Sequence, residues 1–244
     1  MKGFGITDQG AVRKENQDCF RLEIMEEDDC AVMVLCDGMG GAQAGSVAAH
    51  MAAEAFCEHA LSCFWQPGGL RDPMQTIRNA SDYANIKVYD RSFADFGCMG
   101  MGTTLVSLIV CAEGSFVSNV GDSRGYLLSN GAIEQITRDH SLVEDLIRRG
   151  KLSREAAKNH PRRNVITRAL GVEQSVICDV FQPDLKRGDM LLLCSDGLSN
   201  LVSDAEMLAA LSENPEPEPL CRELLRRALD RGAPDNVTVA ALLR

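Results

Sequence analysis

Three aspartates stand where apolar runs meet glycine or a polar turn. Asp37 follows Ala31-Val32-Met33-Val34-Leu35-Cys36 and precedes Gly38-Met39-Gly40-Gly41. Asp196 follows Met190-Leu191-Leu192-Leu193-Cys194-Ser195 and precedes Gly197, while Asp235 precedes Asn236 and the last apolar run, Val237 to Leu243. A carboxylate at a strand's end, beside glycines that leave the backbone exposed, is a natural seat for a hard divalent cation. Three such acids at three strand edges suggest one converged metal site.

The elements that must carry these acids follow from periodicity. Short strands are expected over Gly3–Thr7 and Cys19–Met25, with a solvated turn at Glu26-Glu27-Asp28-Asp29 before the buried strand that ends at Cys36. Helical spacing of small and apolar residues runs from Ala42 to about Phe64, broken by Trp65-Gln66-Pro67-Gly68-Gly69. A second helix is expected from about Asp72 to Phe93. The centre then switches to β period: Thr103–Cys111, Ser115–Val120, Arg124–Ser129 and Ala132–Thr137, with Asn130-Gly131 a strong hairpin signal. An Arg-rich interval, Ser141 to Arg168, reads as two short helices (142–149 and 153–159) and a loop. Strands return at Val176–Gln182 and Asp189–Cys194. Helices near 203–212 and 217–231, split by Asn214-Pro215-Glu216-Pro217, precede the final strand. No repeat, low-complexity stretch or linker divides residues 1–244, so a single domain is expected. Hairpin strands with paired helices argue for α+β, with helices packed on antiparallel sheets.

Composition narrows the class. The 244 residues are ample for a sizeable core, and 45% hydrophobic with 25% charged is ordinary for a globular protein. Lys+Arg 25 against Asp+Glu 35 gives a net charge of -10, a poor basis for binding nucleic acid or an anionic membrane but a comfortable one for metal ions. No apolar run approaches the roughly 20 residues that span a bilayer. Ten cysteines are scattered without a Cys-x-x-Cys pair, and Cys36, Cys111 and Cys194 lie inside apolar runs as small hydrophobes. With no signal peptide at Met1-Lys2-Gly3-Phe4, the expectation is a reduced, cytoplasmic protein.

Seven motifs occur in a fixed order: Arg13-Lys14-Glu15-Asn16-Gln17-Asp18, Asp37-Gly38-Met39-Gly40-Gly41, Gly102-Thr103-Thr104, Gly121-Asp122-Ser123-Arg124, Asp139-His140-Ser141, Ser195-Asp196-Gly197-Leu198 and Asp235-Asn236. Together they resemble the metal-dependent Ser/Thr protein phosphatases of the phosphatase 2C type, in particular compact bacterial members, over essentially the whole chain. The resemblance implies a four-layer αββα sandwich, two antiparallel sheets with paired helices outside, plus a flap at about 142–168. It implies hydrolysis of phosphoserine and phosphothreonine in proteins by attack of a metal-bridging water or hydroxide, without a phosphoenzyme. No Cys-x5-Arg signature is read in the chain, so a cysteine nucleophile is disfavoured.

The same resemblance distributes roles. Asp37 bridges two Mg²⁺ or Mn²⁺ ions, the Gly38 carbonyl serves one ion, and Asp196 and Asp235 serve the other; oxygen ligands with several waters suit those metals rather than zinc. Asp18 is an outer-shell acid holding metal-bound waters. Asp122, with Asp196, is a candidate ligand for a third ion. Arg13 binds phosphate through its guanidinium fork. Thr103, Thr104 and Asp139 support the site. One departure concerns proton delivery: many eukaryotic relatives carry His where this chain has Met39, and methionine cannot donate a proton. The flap, with its arginines, is a specificity element. The expected partners are phosphorylated proteins, opposing a Ser/Thr kinase, with the chain a monomer. A non-catalytic phosphoprotein-binding regulator is the alternative; a two-metal nuclease or small-molecule phosphatase fits the metal logic but not the motif order.

Overall fold

In the computed structural model, which describes residues 1–41, 44–64 and 72–244 but not the side chain of Lys158, eleven strands form two antiparallel sheets. The strands are β1 (Lys2–Asp8), β2 (Asp18–Met25), β3 (Cys30–Met39), β4 (Gly102–Thr103), β5 (Leu105–Cys111), β6 (Gly114–Val120), β7 (Arg124–Ser129), β8 (Ala132–Gln135), β9 (Asp179–Phe181), β10 (Met190–Cys194) and β11 (Val237–Leu243). The helices are α1 (Ala44–Phe64), α2 (Pro73–Ala94), α3 (Leu142–Arg148), α4 (Arg154–Lys158), α5 (Asp196–Ser199), α6 (Asp204–Glu213) and α7 (Pro217–Asp230). The expected start of the first helix at Ala42 and its break at Trp65-Gln66-Pro67-Gly68-Gly69 lie outside the described residues.

One sheet runs β1-β11-β10-β7-β8 and the other β2-β3-β5-β6-β9, with β4 paired to β3. Alternation decides the layering. Val32, Val34 and Cys36 of β3 face α1 and α2, whereas Ala31, Met33 and Leu35 face the opposite sheet, among Leu191, Leu193, Ala240 and Leu242. On the far side Leu192, Cys194, Val239 and Ala241 pack under α6 and α7. Three apolar cores therefore separate four layers, helix, sheet, sheet and helix, the α+β sandwich that the sequence implies. Helix α1 can lie flat because its buried face is mostly alanine, including Ala48, Ala49, Ala52 and Ala53.

Local chemistry sets the boundaries. Asn130 and Gly131 both take positive φ (52° and 73°), forming the two-residue turn that matches strand twist between β7 and β8. Ser141 and Ser153 cap α3 and α4 by accepting from the Glu144 and Ala156 N–H groups, so the flap holds the two short helices expected of it. Three strands are clearly shorter than periodicity predicts. The expected Ala132–Thr137 ends at Gln135, and the Thr137 hydroxyl accepts from the Gly125 N–H (2.9 Å). The run Thr103–Cys111 is split at Thr104, whose hydroxyl accepts from the Asp37 N–H (2.9 Å) in place of a main-chain carbonyl. The run Val176–Gln182 pairs only at Asp179–Phe181, because the Ile177 and Cys178 carbonyls accept from Arg168 and Arg78 side chains. All ten cysteines are free, and nine are buried. Among the described residues no helix is long and apolar enough to cross a membrane.

Candidate metal centre and phosphate site

Asp37 lies near the end of β3 with its main chain held on both sides. Its N–H donates to Thr104 Oγ1 (2.9 Å), and its carbonyl accepts from Thr103 Oγ1 and Thr104 N (both 2.9 Å). The Thr104 hydroxyl is then free to donate to Ser123 Oγ, 2.7 Å away. The two threonines thus fix Asp37 in the supporting role expected of them. Gly38 must be glycine: a Cβ there would collide with Gly45 O and lie 2.7 Å from Gln17 O.

Asp18 is the direct cross-strand partner of Asp37. It is buried, at 3% exposure. Its Oδ2 accepts from Ser195 Oγ, just past the end of β10, and from Thr238 Oγ1 in β11 of the opposite sheet, both at 2.7 Å. Its Oδ1 is buried with no hydrogen-bond partner among the described residues. Asp196 opens α5, where Asn200 Nδ2 donates to its Oδ2 (3.1 Å). The following Gly197 lies against the main chain of Asn236, with no room for a Cβ beside Asn236 O, so the Asp196 and Asp235 segments touch.

Electrostatics identifies these acids as one group. Burial, then repulsion from Asp18, Asp196, Asp122 and Asp235, holds the Asp37 carboxyl well above the ordinary carboxylate range. Burial, opposed in part by the Thr238 and Ser195 hydroxyls, pushes Asp18 up to about 7. Burial and the Asp196 charge push Asp122 to about 7, and burial with the Asp235 charge pushes Asp196 to about 6. Among the described residues, no three His, Cys, Asp or Glu side chains close on a single point. The carboxylates are near enough to repel and too far apart to cage one ion. Mg²⁺-like cations, which keep several waters and take one or two carboxylates each, suit that spacing, and the partnerless Asp18 Oδ1 is available to a water between them.

Arg13 is exposed on the loop before β2, and its Nη2 forms an ion pair with Asp235 Oδ2 at 2.7 Å. The Asp235, Asp37 and Asp196 charges all strengthen its proton affinity. The structure thus joins the expected phosphate ligand directly to an expected metal ligand, a contact that spacing alone does not reveal. At the Asp122 turn, Gly121 adopts φ 110° and its N–H donates to His140 Nδ1 (3.1 Å). Arg124 grips Asp139 through Nε and Nη2 (2.7 to 3.1 Å), bracing the turn from behind. His140 Nε2 lies 3.2 Å from Asp179 Oδ2, and burial lowers the ring's proton affinity, so His140 is a structural imidazole. Met39 packs its methyl toward Gly102.

The sequence reading missed the tie from Thr238, which looks like an ordinary strand residue until the two sheets are stacked. It also missed one Cys-x5-Arg spacing, Cys221 to Arg227. Both residues lie within helix α7, burial pushes the Cys221 thiol up to about 12, and Arg227 is paired with Glu223 and Glu213. That pair cannot form a phosphate loop with a thiolate nucleophile.

A family model described as Protein phosphatase 2C matches residues 11–238. The chain is 38% identical over 242 residues to the serine/threonine phosphatase stp of Listeria monocytogenes, covering 98% of this chain and 94% of that protein. The crystal structure of the Mycobacterium tuberculosis serine/threonine phosphatase PstP/Ppp superposes with a TM-score of 0.88 at 36% identity, over all of this chain and 98% of that one. The PstP catalytic domain in complex with two manganese ions gives 0.81 at 34% identity, over 98% of this chain and 96% of that one. With a family model over residues 11–238, a relative 38% identical over nearly the whole chain and the same fold, the chain belongs to the protein phosphatase 2C family.

Proposed function

We propose that this chain is a metal-dependent protein phosphatase acting on phosphoserine and phosphothreonine. The observation that carries the reading is the set of mutually repelling carboxylates around Asp37, set beside the Arg13 guanidinium. Asp37 would bridge two Mn²⁺ or Mg²⁺ ions, with the Gly38 carbonyl, Asp196 and Asp235 completing the protein ligands. Asp122 would serve a third ion. Divalent cations held there supply a nucleophilic water at neutral pH and offset the phosphate charge.

The chain's own groups do the rest. The Arg13 fork orients the phosphate and balances its charge. Asp18, fixed by Ser195 and Thr238, presents its free oxygen to a water proton. Met39 cannot donate a proton and His140 is buried against Asp179, so neither serves the leaving alkoxide. The relatives named as serine/threonine phosphatases support this substrate class for the chain. The reading extends to a cytoplasmic monomer opposing a Ser/Thr kinase, with the basic flap selecting among substrates. The intact carboxylate set disfavours a purely binding role.

The test is phosphate release from phosphoserine and phosphothreonine peptides with Mn²⁺ or Mg²⁺, before and after chelation. Activity should vanish with chelator, return with Mn²⁺, and be lost in Asp37→Asn. Metal-independent turnover by Asp37→Asn would falsify the two-metal assignment.

A further inference from the structure

Asn236 stands next to Asp235, yet its side chain bonds to another segment altogether. Its Nδ2 donates to the carbonyls of Gln9 (2.8 Å) and Glu15 (2.9 Å), and its Oδ1 accepts from the Gln17 N–H (2.9 Å). Both donors and an acceptor of one amide are thereby spent on the loop that carries Arg13. The side chain is buried at 5% exposure, whereas residues 11–15 of the loop are exposed. Other bonds anchor the ends of the loop, among them Ala11 N–H to Ala233 O (2.9 Å), Gly10 N–H to Asp8 Oδ1 (2.8 Å), Asn16 Nδ2 to Thr7 Oγ1 (2.8 Å) and Gly38 N–H to Gln17 O (3.0 Å), while Gln9 Nε2 donates to Arg13 O (2.7 Å) within it. Three of the main-chain groups around Arg13 therefore answer to one amide, at positions 9, 15 and 17.

Only an amide fits this position. Alanine leaves two carbonyls and an N–H without their partner, and aspartate turns acceptors toward the carbonyls of Gln9 and Glu15. The main chain of Asn236 meanwhile donates to Asp235 Oδ1 (2.9 Å) and packs against Gly197. The Arg13 loop, Asp196 and Asp235 are thus referred to a single residue.

We propose that Asn236 is a positioning residue, whose amide sets the 9–17 loop so that the Arg13 guanidinium meets the substrate phosphate. The inference rests on the phosphatase reading in which Arg13 binds phosphate. Its signature is a defect in phosphate recognition with the metal site intact.

The experiment measures KM and kcat on a phosphothreonine peptide, the inhibition constant of inorganic phosphate, and Mn²⁺ affinity by electron paramagnetic resonance. The proteins are wild type, Asn236→Ala, Arg13→Ala and the double variant. Asn236→Ala should raise KM and the phosphate inhibition constant about tenfold, as expected for a lost charge-assisted contact. Mn²⁺ affinity should be unchanged, and the double variant should be no worse than Arg13→Ala. Hydrogen exchange should rise at residues 9–17. Additive effects, an unchanged KM, or weakened Mn²⁺ binding with normal phosphate inhibition would overturn the proposal. If Arg13→Ala itself leaves phosphate inhibition unchanged, the role given to Arg13 fails instead. Asn236→Gln, which keeps a neutral amide but displaces it by one methylene, replaces Asn236→Ala if that variant does not fold, with the same outcomes expected.

Discussion

At the scale of single residues, the site divides into groups that meet ligand and groups that hold those groups still. Asp37, Asp196 and Asp235 were legible in the sequence because acid followed by glycine or asparagine at a strand end is a local pattern. The ion pair between Arg13 and Asp235 was not, since it joins residues at opposite ends of the chain. Arg13→Lys keeps the charge but loses the planar fork. Steady-state kinetics should show KM for a phosphopeptide rising about tenfold, with the Mn²⁺ requirement unchanged. An unchanged KM would mean that charge alone, not geometry, is what Arg13 supplies.

At the scale of elements, β-period runs forecast most strands, and the misses share one cause. Side-chain hydrogen bonds to the main chain interrupt a ladder without altering the hydrophobic pattern that betrays a strand. Thr104 separates β4 from β5 in this way, and Arg78 and Arg168 shorten β9. Thr104 also tests how firmly an element must hold Asp37. Thr104→Val is nearly isosteric but leaves the Asp37 N–H and Ser123 Oγ without this partner, costing about 1–3 kcal/mol. Thermal unfolding should fall by about 2–4 °C for each kcal/mol lost in a chain of this size. Mn²⁺ binding should weaken in parallel, whereas a melting shift with normal Mn²⁺ affinity would confine Thr104 to the sheet.

At the scale of the whole molecule, folding gathers Asp37, Asp18, Asp122 and Asp196 of an acidic chain into desolvated, mutually repelling positions. Asp196 is pushed to about 6 and Asp18 and Asp122 to about 7, against about 4 in an unfolded chain. Between those values the folded protein holds protons that the unfolded chain has released. The stability they contribute is complete below about pH 4 and is lost as pH rises through 6 to 7. Chelated protein should therefore melt lower at pH 8 than at pH 5.5. Added Mn²⁺ should raise the melting temperature most at the higher pH, because the ligating carboxyls are then ionised. Calorimetry at the two pH values, with and without Mn²⁺, measures this directly; equal shifts would disconnect the ions from these acids. The four layers themselves were legible from motif order rather than from periodicity, because periodicity reports which face is apolar but not which sheet it meets.

Asp18 belongs to one sheet, and the hydroxyls that hold it come from the other, Thr238 within β11 and Ser195 directly after β10. The carboxylates therefore sit on a seam, and the registry of the two sheets is written into their spacing. Sliding one layer against its neighbour by a fraction of an ångström would leave every strand intact yet detune the site. Leu193→Ala, a cavity in the apolar layer between the sheets, should loosen Mn²⁺ binding while the protein is still fully folded. In that sense the ion affinity acts as a strain gauge for the interior of the sandwich.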